Sequence, residues 1–295
     1  MTPASQRQGI ALLLAAIFLF SLMDAMAKLA AGLGYPPMQV VFVRLAINLA
    51  LVLALFAPRL RQVARTRHPG LQVLRGLTQV ATVGLFFISL RHIGLAQATA
   101  LTDINPVLII LLAAVFLGET ITRRKLIAIV TALAGALIVL RPGLGVVQPA
   151  AILPLIAAVT YAIGAIATRL VRGDSTATSV LWGTTIATAV AGLAMPLVWV
   201  PIAPGDLWVF ALMGLVGTVA QAALIRAYAL GEASVLAPFG YVGLIWAGLW
   251  GWLIFDMLPD IWTVIGALVI AGAGLYLWRG EAQAARPLQR TDGPA

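Results

Sequence analysis

Residues 94–119, GLAQATALTDINPVLIILLAAVFLGE, and residues 231–256, GEASVLAPFGYVGLIWAGLWGWLIFD, align without a gap at a spacing of 137 residues. The alignment matches Glu119 to Asp256 and continues to Gly135, which matches Gly272. A further set near the start of each half matches Phe20, Lys28 and Gly32 to Tyr161, Arg169 and Gly173. The order of the matches is the same in both halves, which indicates an internal duplication.

Ten apolar stretches are each long enough to cross a bilayer. Hydrophobic residues form 62% of the 295-residue chain and the mean hydropathy is +1.03, more apolar surface than a soluble domain of this length can bury. About 20 apolar residues span the hydrocarbon core, and lipid requires each backbone amide to bond within its segment, so these stretches are predicted to be helices. The predicted spans are 9–31, 38–57, 70–91, 96–117, 123–141, 149–171, 177–199, 207–229, 232–255 and 260–278.

Each half of the chain holds five predicted helices, an odd number. The second half therefore enters the membrane upside down relative to the first, a construction common among secondary transporters. We predict an all-α integral membrane protein with ten transmembrane helices in two inverted five-helix repeats around a central cavity. The predicted divisions are 1–143 for the first repeat, 144–280 for the second, inverted repeat and 281–295 for a disordered cytoplasmic tail.

Cations resist translocation and collect on the cytoplasmic side of a membrane. With the N-terminus inside, fifteen Lys and Arg residues fall on the inner side and three on the outer side, which places both termini in the cytoplasm and explains the net charge of +9. The run from Arg59 to Arg75 is either a solvated inner loop or a contact for anionic headgroups. The N-terminal run also has the composition of a secretory signal, but the repeat requires this helix, so we predict a retained span.

Catalytic and cofactor motifs are not found in the sequence. There is no cysteine, the two histidines have no metal-ligand spacing, and no phosphate-binding loop or paired acidic motif occurs. We therefore expect no catalytic residues, no metal, no cofactor and no nucleic-acid partner, and a transporter rather than an enzyme. A membrane-embedded enzyme and a passive scaffold remain the alternatives outside transport.

The sequence Phe-Leu-Gly-Glu-Thr at 116–120 with a basic helix start, and Ala-Leu-Gly-Glu-Ala-Ser-Val-Leu-Ala-Pro at 229–238, resemble the drug/metabolite transporter superfamily, EamA type. The resemblance covers nearly the whole chain and is nearest to bacterial exporters of aromatic and other amino acids. It implies that helices 1, 3, 4, 6, 8 and 9 line the cavity, helices 2 and 7 flank it, and helices 5 and 10 close the back. Asp256 stands where the family has Glu, and Phe255 precedes it in place of Gly.

Two groups of side chains are candidates to bind substrate. Gln79 and Thr82 in helix 3, and Thr218 and Gln221 in helix 8, are each three residues apart and so lie on one face of their helix. Either they contact a substrate with amino and carboxylate groups or they form interhelical hydrogen bonds. The second group is aromatic and forms either an apolar wall for a large side chain or a lipid-facing surface. Its members are Tyr161, Tyr241, Trp246 and Trp250.

Four charges form a predicted layer toward the outer face. Asp24, Arg44 and Asp103 each lie about seven residues, or about 10 Å, from the outer end of their helix, and Lys28 is one turn beyond Asp24. The layer is either an outer gate or proton-coupling site, or a static cluster that locks helices 1, 2 and 4.

Other features are predicted to shape the helices. Pro106 and Pro238 are candidate hinges. Glu119 is predicted to cap helix 5. Small residues at four-residue spacing, Ala128, Ala132 and Ala136 in helix 5 and Ala267 and Ala271 in helix 10, predict close helix packing.

The combined prediction is a multi-pass secondary transporter of the bacterial inner membrane. It would export amino acids and related small metabolites by alternating access, with a monomer as the expected assembly. Drug or nucleotide-sugar export is the alternative within the same fold.

Overall fold

The computed structural model describes residues 3–141, 149–171, 174–230 and 236–284. Over these ranges the chain is helical with no strand, and eight helices are long and apolar enough to cross a membrane. A shorter apolar helix over Phe239–Phe255 and the helix Arg123–Leu140, which begins with three cations, complete ten helical spans in the described ranges. The predicted all-α membrane fold is confirmed.

The ten spans are numbered α1 to α10, with α4 and α9 each in two segments. Their bounds are α1 Pro3–Gly32, α2 Pro37–Phe56, α3 Pro69–Leu90, α4a Leu95–Thr102, α4b Asn105–Leu117, α5 Arg123–Leu140, α6 Ile152–Leu170, α7 Thr176–Leu193, α8 Leu207–Leu230, α9a Ala237–Tyr241 (a 3-10 helix), α9b Val242–Phe255 and α10 Ile261–Ala284. The membrane face on which α1 begins is called the N-terminal face.

Proline and threonine residues mark the starts of three helices. Pro37 and Pro69 occupy the first turn of α2 and α3, where the missing N–H has no intrahelical partner. Thr122 caps α5 by accepting from the backbone N–H of Lys125 at 3.3 Å. The prediction that Glu119 caps helix 5 is therefore wrong. Its carboxylate bonds the side chains of Lys125 and Arg169, and the Thr122 hydroxyl takes the capping position.

Helix packing follows an exchange of the two halves. When the halves are exchanged, the pair α1–α8 becomes α6–α3, and the pair α1–α9 becomes α6–α4. The two helices pack together in all four of these pairs. The pairs α2 with α7 and α5 with α10 map onto themselves and also pack. This is the contact pattern of two inverted five-helix halves.

A close backbone approach joins α5 to α10. A Cβ added at Gly266 would lie 2.6 Å from the carbonyl oxygen of Gly135, and one added at Gly135 would lie 2.9 Å from that of Gly266. Ala128, Ala132 and Ala136 are buried along the same helix, as the small-residue spacing predicts. These contacts define the α5–α10 seam.

The structure changes two predicted boundaries and the course of two predicted helices. Helix 1 begins at Pro3, six residues before the predicted start, and α10 continues to Ala284, into the predicted tail. The remainder of that tail and the predicted division between 143 and 144 lie outside the described residues. Helix 4 is interrupted by a turn at residues 103–104, and helix 9 changes from a 3-10 helix to an α-helix after Tyr241; these two points are called the interruptions.

Candidate functional site

Two interrupted helices meet inside the bundle. The α-helix of α4b begins at Asn105 and that of α9b begins at Val242, so the interruptions fall at the repeat spacing of 137 residues. The segments α4a and α9b pack against each other. Interrupted helices bring helix ends, with their unpaired backbone groups and partial charges, to the interior of a membrane protein.

The predicted hinge prolines lie at these interruptions. Pro106 is in the first turn of α4b, where it starts a helix instead of kinking one, and Pro238 lies within the 3-10 helix α9a. The prolines themselves do not match at the repeat spacing, although the interruptions do.

Asp24 on α1 and Arg44 on α2 lie within electrostatic range of each other. The Arg44 guanidinium lies 5.5 Å from the centre of the Phe87 ring on α3, and its Nε lies 4.0 Å from a Cβ built at Gly217 on α8. Asp24 and Arg44 are only partly buried although α1, α2, α3 and α8 surround them. Partial accessibility of charges inside the bundle indicates internal space next to them.

Lys28 has other partners than the predicted acids. Its Nζ donates to the backbone oxygens of Leu90 at 2.6 Å and Ile93 at 2.8 Å, and lies 5.4 Å from the centre of the Phe255 ring. The side chain is buried, and these bonds join α1 to the end of α3. Among the described residues, Lys28 makes no ion pair with Asp24 or Asp103 within 4.0 Å.

Asp103 lies at the interruption of helix 4. It follows the last residue of α4a, its backbone N–H donates to the Thr99 oxygen at 2.9 Å, and its side chain is partly accessible. Tyr241, at the interruption of helix 9, is within electrostatic range of Asp103. The Tyr241 hydroxyl packs against Gly274 of α10.

Two buried polar atoms next to these charges lack a hydrogen-bond partner in the described part of the chain. They are Ser21 Oγ, three residues before Asp24, and Asn105 Oδ1, two residues after Asp103. A buried unpaired polar group costs about 1–3 kcal/mol, so each of these atoms is a candidate to bond a water molecule or a substrate. Sequence reasoning missed both; the spacing of Ser21, Asp24 and Lys28 on one helix face was the available signal for the serine.

Phe18, Trp246 and Trp250 form an aromatic cluster between α1 and α9. The Phe18 ring is 5.0 Å from the Trp246 ring in an edge-to-face arrangement and 5.5 Å from the Trp250 ring. Both indole Nε1 atoms are buried without a partner among the described residues. The two tryptophans therefore pack inside the protein, and each has a free hydrogen-bond donor.

The predicted polar pairs lie largely at helix interfaces. The Thr82 hydroxyl lies 2.7 Å from the Thr160 hydroxyl of α6, an interhelical hydrogen bond. It also donates to the backbone oxygen of Thr78 in its own helix at 2.7 Å. Gln79 packs toward α7, since its Oε1 lies 2.9 Å from a Cβ built at Gly183. The Thr218 hydroxyl donates to the Gly214 oxygen of its own helix at 2.9 Å.

Two predicted substrate contacts lie outside these groups. Gln221 is half-buried one turn along α8 from Thr218, and Tyr161 on α6 is 50% exposed. The structure therefore gathers Trp246 and Trp250 into one cluster and places Asp24 beside Arg44. It leaves Gln79, Thr82 and Tyr161 on other contacts or surfaces.

Glu119 pairs with two cations on the N-terminal face. Its carboxylate oxygens lie 3.1 Å from Arg169 Nη1 at the end of α6 and 3.4 Å from Lys125 Nζ. The Glu119–Arg169 ion pair joins the loop between α4 and α5 to the second half of the chain.

Hydrogen bonds also join the halves on the opposite face. The Gln39 amide accepts from the Val200 N–H at 2.9 Å and donates to the Val200 oxygen at 2.6 Å. Tyr35 donates to Asp206 at 2.6 Å, and that bond raises the pKa of the Tyr35 hydroxyl. No group of three His, Cys, Asp or Glu residues able to hold a metal occurs within the described ranges.

Comparison with protein families and curated proteins points to membrane transport. Residues 7–141 match the profile of the EamA-like transporter family. The chain is 31% identical to the pseudopaline exporter CntI of Pseudomonas aeruginosa over 279 residues, covering 92% of this chain and 96% of that protein.

Other relatives carry different names. The chain is 29% identical to a riboflavin transporter of Brucella anthropi, covering 86% and 92% of the two chains. It is 24% identical to an S-adenosylmethionine uptake transporter of Rickettsia prowazekii, covering 92% and 93%. Among solved structures, the chain is similar to a crystal structure with a TM-score of 0.64 over 96% of this chain and 99% of that chain, at 18% identity, which supports the fold alone.

Proposed function

We propose, from the premise that the chain belongs to the EamA-like transporter family and transports a small molecule across a membrane, that it exports amino acids and related metabolites. The observation that carries this proposal is the combination, inside the bundle, of opposite charges on Asp24 and Arg44 with an aromatic cluster that has two unpaired indole N–H groups. An amino acid supplies the complement of each group.

The chemistry of such a substrate fits these side chains. An ammonium group would bind the carboxylate of Asp24 or Asp103, and a carboxylate would accept from Arg44 or from the indole N–H groups of Trp246 and Trp250. An aromatic side chain would pack on the cluster, where ring pairs contribute about 0.5–1.5 kcal/mol beyond their buried area. Because neither indole N–H has a partner, a substrate that accepts from them would gain hydrogen bonds without breaking any within the protein.

The two halves support an alternating-access mechanism. The repeat matches Lys28 to Arg169 and Asp256 to Glu119. Arg169 pairs with Glu119 on the N-terminal face, whereas Lys28 bonds backbone oxygens on the opposite face and lies over Phe255, next to Asp256. We propose that the second state exchanges these roles, with Lys28 paired to Asp256 and Arg169 released from Glu119.

The membrane and the direction of transport complete the proposal. Fifteen cations on one side against three on the other support an inner-membrane protein with both termini in the cytoplasm. The similarity to the pseudopaline exporter favours export. The S-adenosylmethionine relative is named for uptake, so direction needs its own measurement.

The test is flux from proteoliposomes without nucleotide. Vesicles loaded with a labelled amino-acid panel, and separately with riboflavin, are diluted into buffer, and release is compared with protein-free vesicles. We expect amino-acid release that Trp246→Phe and Trp250→Phe slow, since each removes an N–H donor and keeps an aromatic ring. Asp260→Asn, a change at an exposed acid in the loop before α10, is the matched control for Asp24→Asn and Asp103→Asn.

Three results would reject parts of the proposal. Folded protein that releases no member of the amino-acid panel rejects amino-acid export, and release of riboflavin alone assigns a different substrate. Chemical turnover of a compound that disappears completely in Asp24→Asn/Asp103→Asn identifies a membrane enzyme, because a facilitative carrier with these changes binds its substrate more weakly but keeps exchange at high substrate concentration.

A further inference from the structure

A cavity of about 1010 Å³ opens on the N-terminal face between the segment after α2 and the start of α7. Its wall includes the side chains of Arg59, Arg65 and Arg67, together with Asp174. All three arginines are exposed, and none makes an ion pair within 4.0 Å in the part of the chain that the structure describes. The cavity therefore has an excess of positive charge.

Asp174 does not neutralise these arginines. The Thr66 hydroxyl donates to one carboxylate oxygen, the Gln72 amide donates to the same oxygen at 2.9 Å, and the Arg67 backbone N–H donates to the other at 3.1 Å. The Thr66 bond is the largest cause that holds the pKa of Asp174 below its ordinary value, so the carboxylate is ionised and bonded to neutral donors. Its role is to fix the loop that presents the arginines.

The membrane side of the cavity is apolar. Leu55 and Phe56 line it, and Leu55 is 73% exposed at the end of α2. Leu51, one turn earlier on α2, and Leu53, two residues before Leu55, are 40% and 38% exposed. The cations thus lie at the end of an apolar surface that faces the hydrocarbon region.

We propose that this cavity binds the phosphate group of an anionic phospholipid, with the acyl chains along the exposed leucines of α2. Arginine guanidinium groups match phosphate oxygens in a bidentate geometry, and basic pockets between membrane helices suit anionic headgroups. A soluble phosphate offers the same headgroup chemistry without the apolar chains. The exposed leucines favour the lipid.

The test is a binding titration on the full-length, delipidated protein by native mass spectrometry. The probes are dioleoyl phosphatidylglycerol, dioleoyl phosphatidylcholine and inorganic phosphate. We expect phosphatidylglycerol to bind most tightly, and Arg65→Gln/Arg67→Gln to weaken its binding at least about tenfold, since each charged hydrogen bond is worth more than a neutral one.

Matched variants separate local binding from net charge. Arg61→Gln/Arg123→Gln removes two exposed cations that do not line the cavity, and should change binding less than about fivefold. Arg65→Lys/Arg67→Lys keeps the charge and should retain part of the affinity, while thermal melts report whether each variant folds. The control variant does not enter the transport proposal, so either proposal can fail alone.

Three outcomes overturn the inference. Equal affinity for the two lipids, or equal losses in the cavity variant and the control, shows that the cavity has no headgroup specificity. Binding of inorganic phosphate as tight as that of phosphatidylglycerol assigns the cavity to a soluble phosphate and rejects the lipid.

Discussion

Adding one methyl group to the α5–α10 seam tests whether backbone contact holds the rear of the protein together. A Cβ at Gly266 would lie 2.6 Å from the Gly135 oxygen, and ordinary contact begins at 3.4 Å, so Gly266→Ala requires the helices to separate by about 0.8 Å. Overpacking of this kind costs about 1–3 kcal/mol, against up to about 1 kcal/mol gained from the better helix propensity of alanine. We expect a net loss of about 1–2 kcal/mol in the free energy of unfolding.

Gly272→Ala is the matched control on the same helix. A Cβ at Gly272 has no heavy atom within 4 Å, so this variant should be as stable as the parent or more stable by up to about 1 kcal/mol. Unfolding is measured by titration with a denaturing detergent, followed by tryptophan fluorescence. The double variant Gly135→Ala/Gly266→Ala should lose less than the sum of the single losses, because one separation relieves both contacts.

Equal stability of Gly266→Ala and Gly272→Ala would refute the reasoning. It would mean that the helices do not approach through these glycines. Full additivity in the double variant would likewise show that the two contacts are independent.

Three further predictions concern contacts between the halves. The Asp174 carboxylate stabilises the fold above its ordinary pKa of 3.8 and loses that contribution as the pH falls through its lower folded pKa, so melting temperature should drop below about pH 4 in the parent and less in Asp174→Asn. Gln39→Leu removes both bonds to Val200 and should lower the free energy of unfolding by about 1–3 kcal/mol; an unchanged melting curve would contradict this. Thr82→Val and Thr160→Val should show a stability coupling of about 0.6 kcal/mol in a double-mutant cycle and leave the transport KM unchanged, whereas a KM change without coupling would assign Thr82 to the substrate.

The architecture could be predicted from the sequence because each helix that crosses the lipid needs about 20 apolar residues. Apolar length and the repeat spacing predict the spans, and the small residues of helix 5 predict its close packing. The interruptions of helices 4 and 9 were not predicted as such. Each comes from the local chemistry of a short segment, such as Asn105-Pro106, inside an otherwise continuous apolar run.

The partners of polar residues were harder to predict. Lys28 and Asp24 lie one turn apart, yet Lys28 bonds the end of α3, since a lysine reaches backbone oxygens on a neighbouring helix as easily as an acid on its own. Ser21 and Asn105 are single polar residues without a motif, and only three-dimensional burial reveals that they lack partners. Helix periodicity gives the face of a residue but not the identity of the opposing atom.

The contact of Gly135 with Gly266 pairs one element with its own counterpart in the other half. An exchange of conformations between the halves maps the helix pair α5–α10 onto itself, so the distance between two matched positions is the same before and after the exchange. Ile127 and Val264 are such positions, because they lie 137 residues apart and both are exposed. Spectroscopic labels at Ile127 and Val264 should therefore give one distance in both states, a fixed reference from which the displacement of other helices is measured.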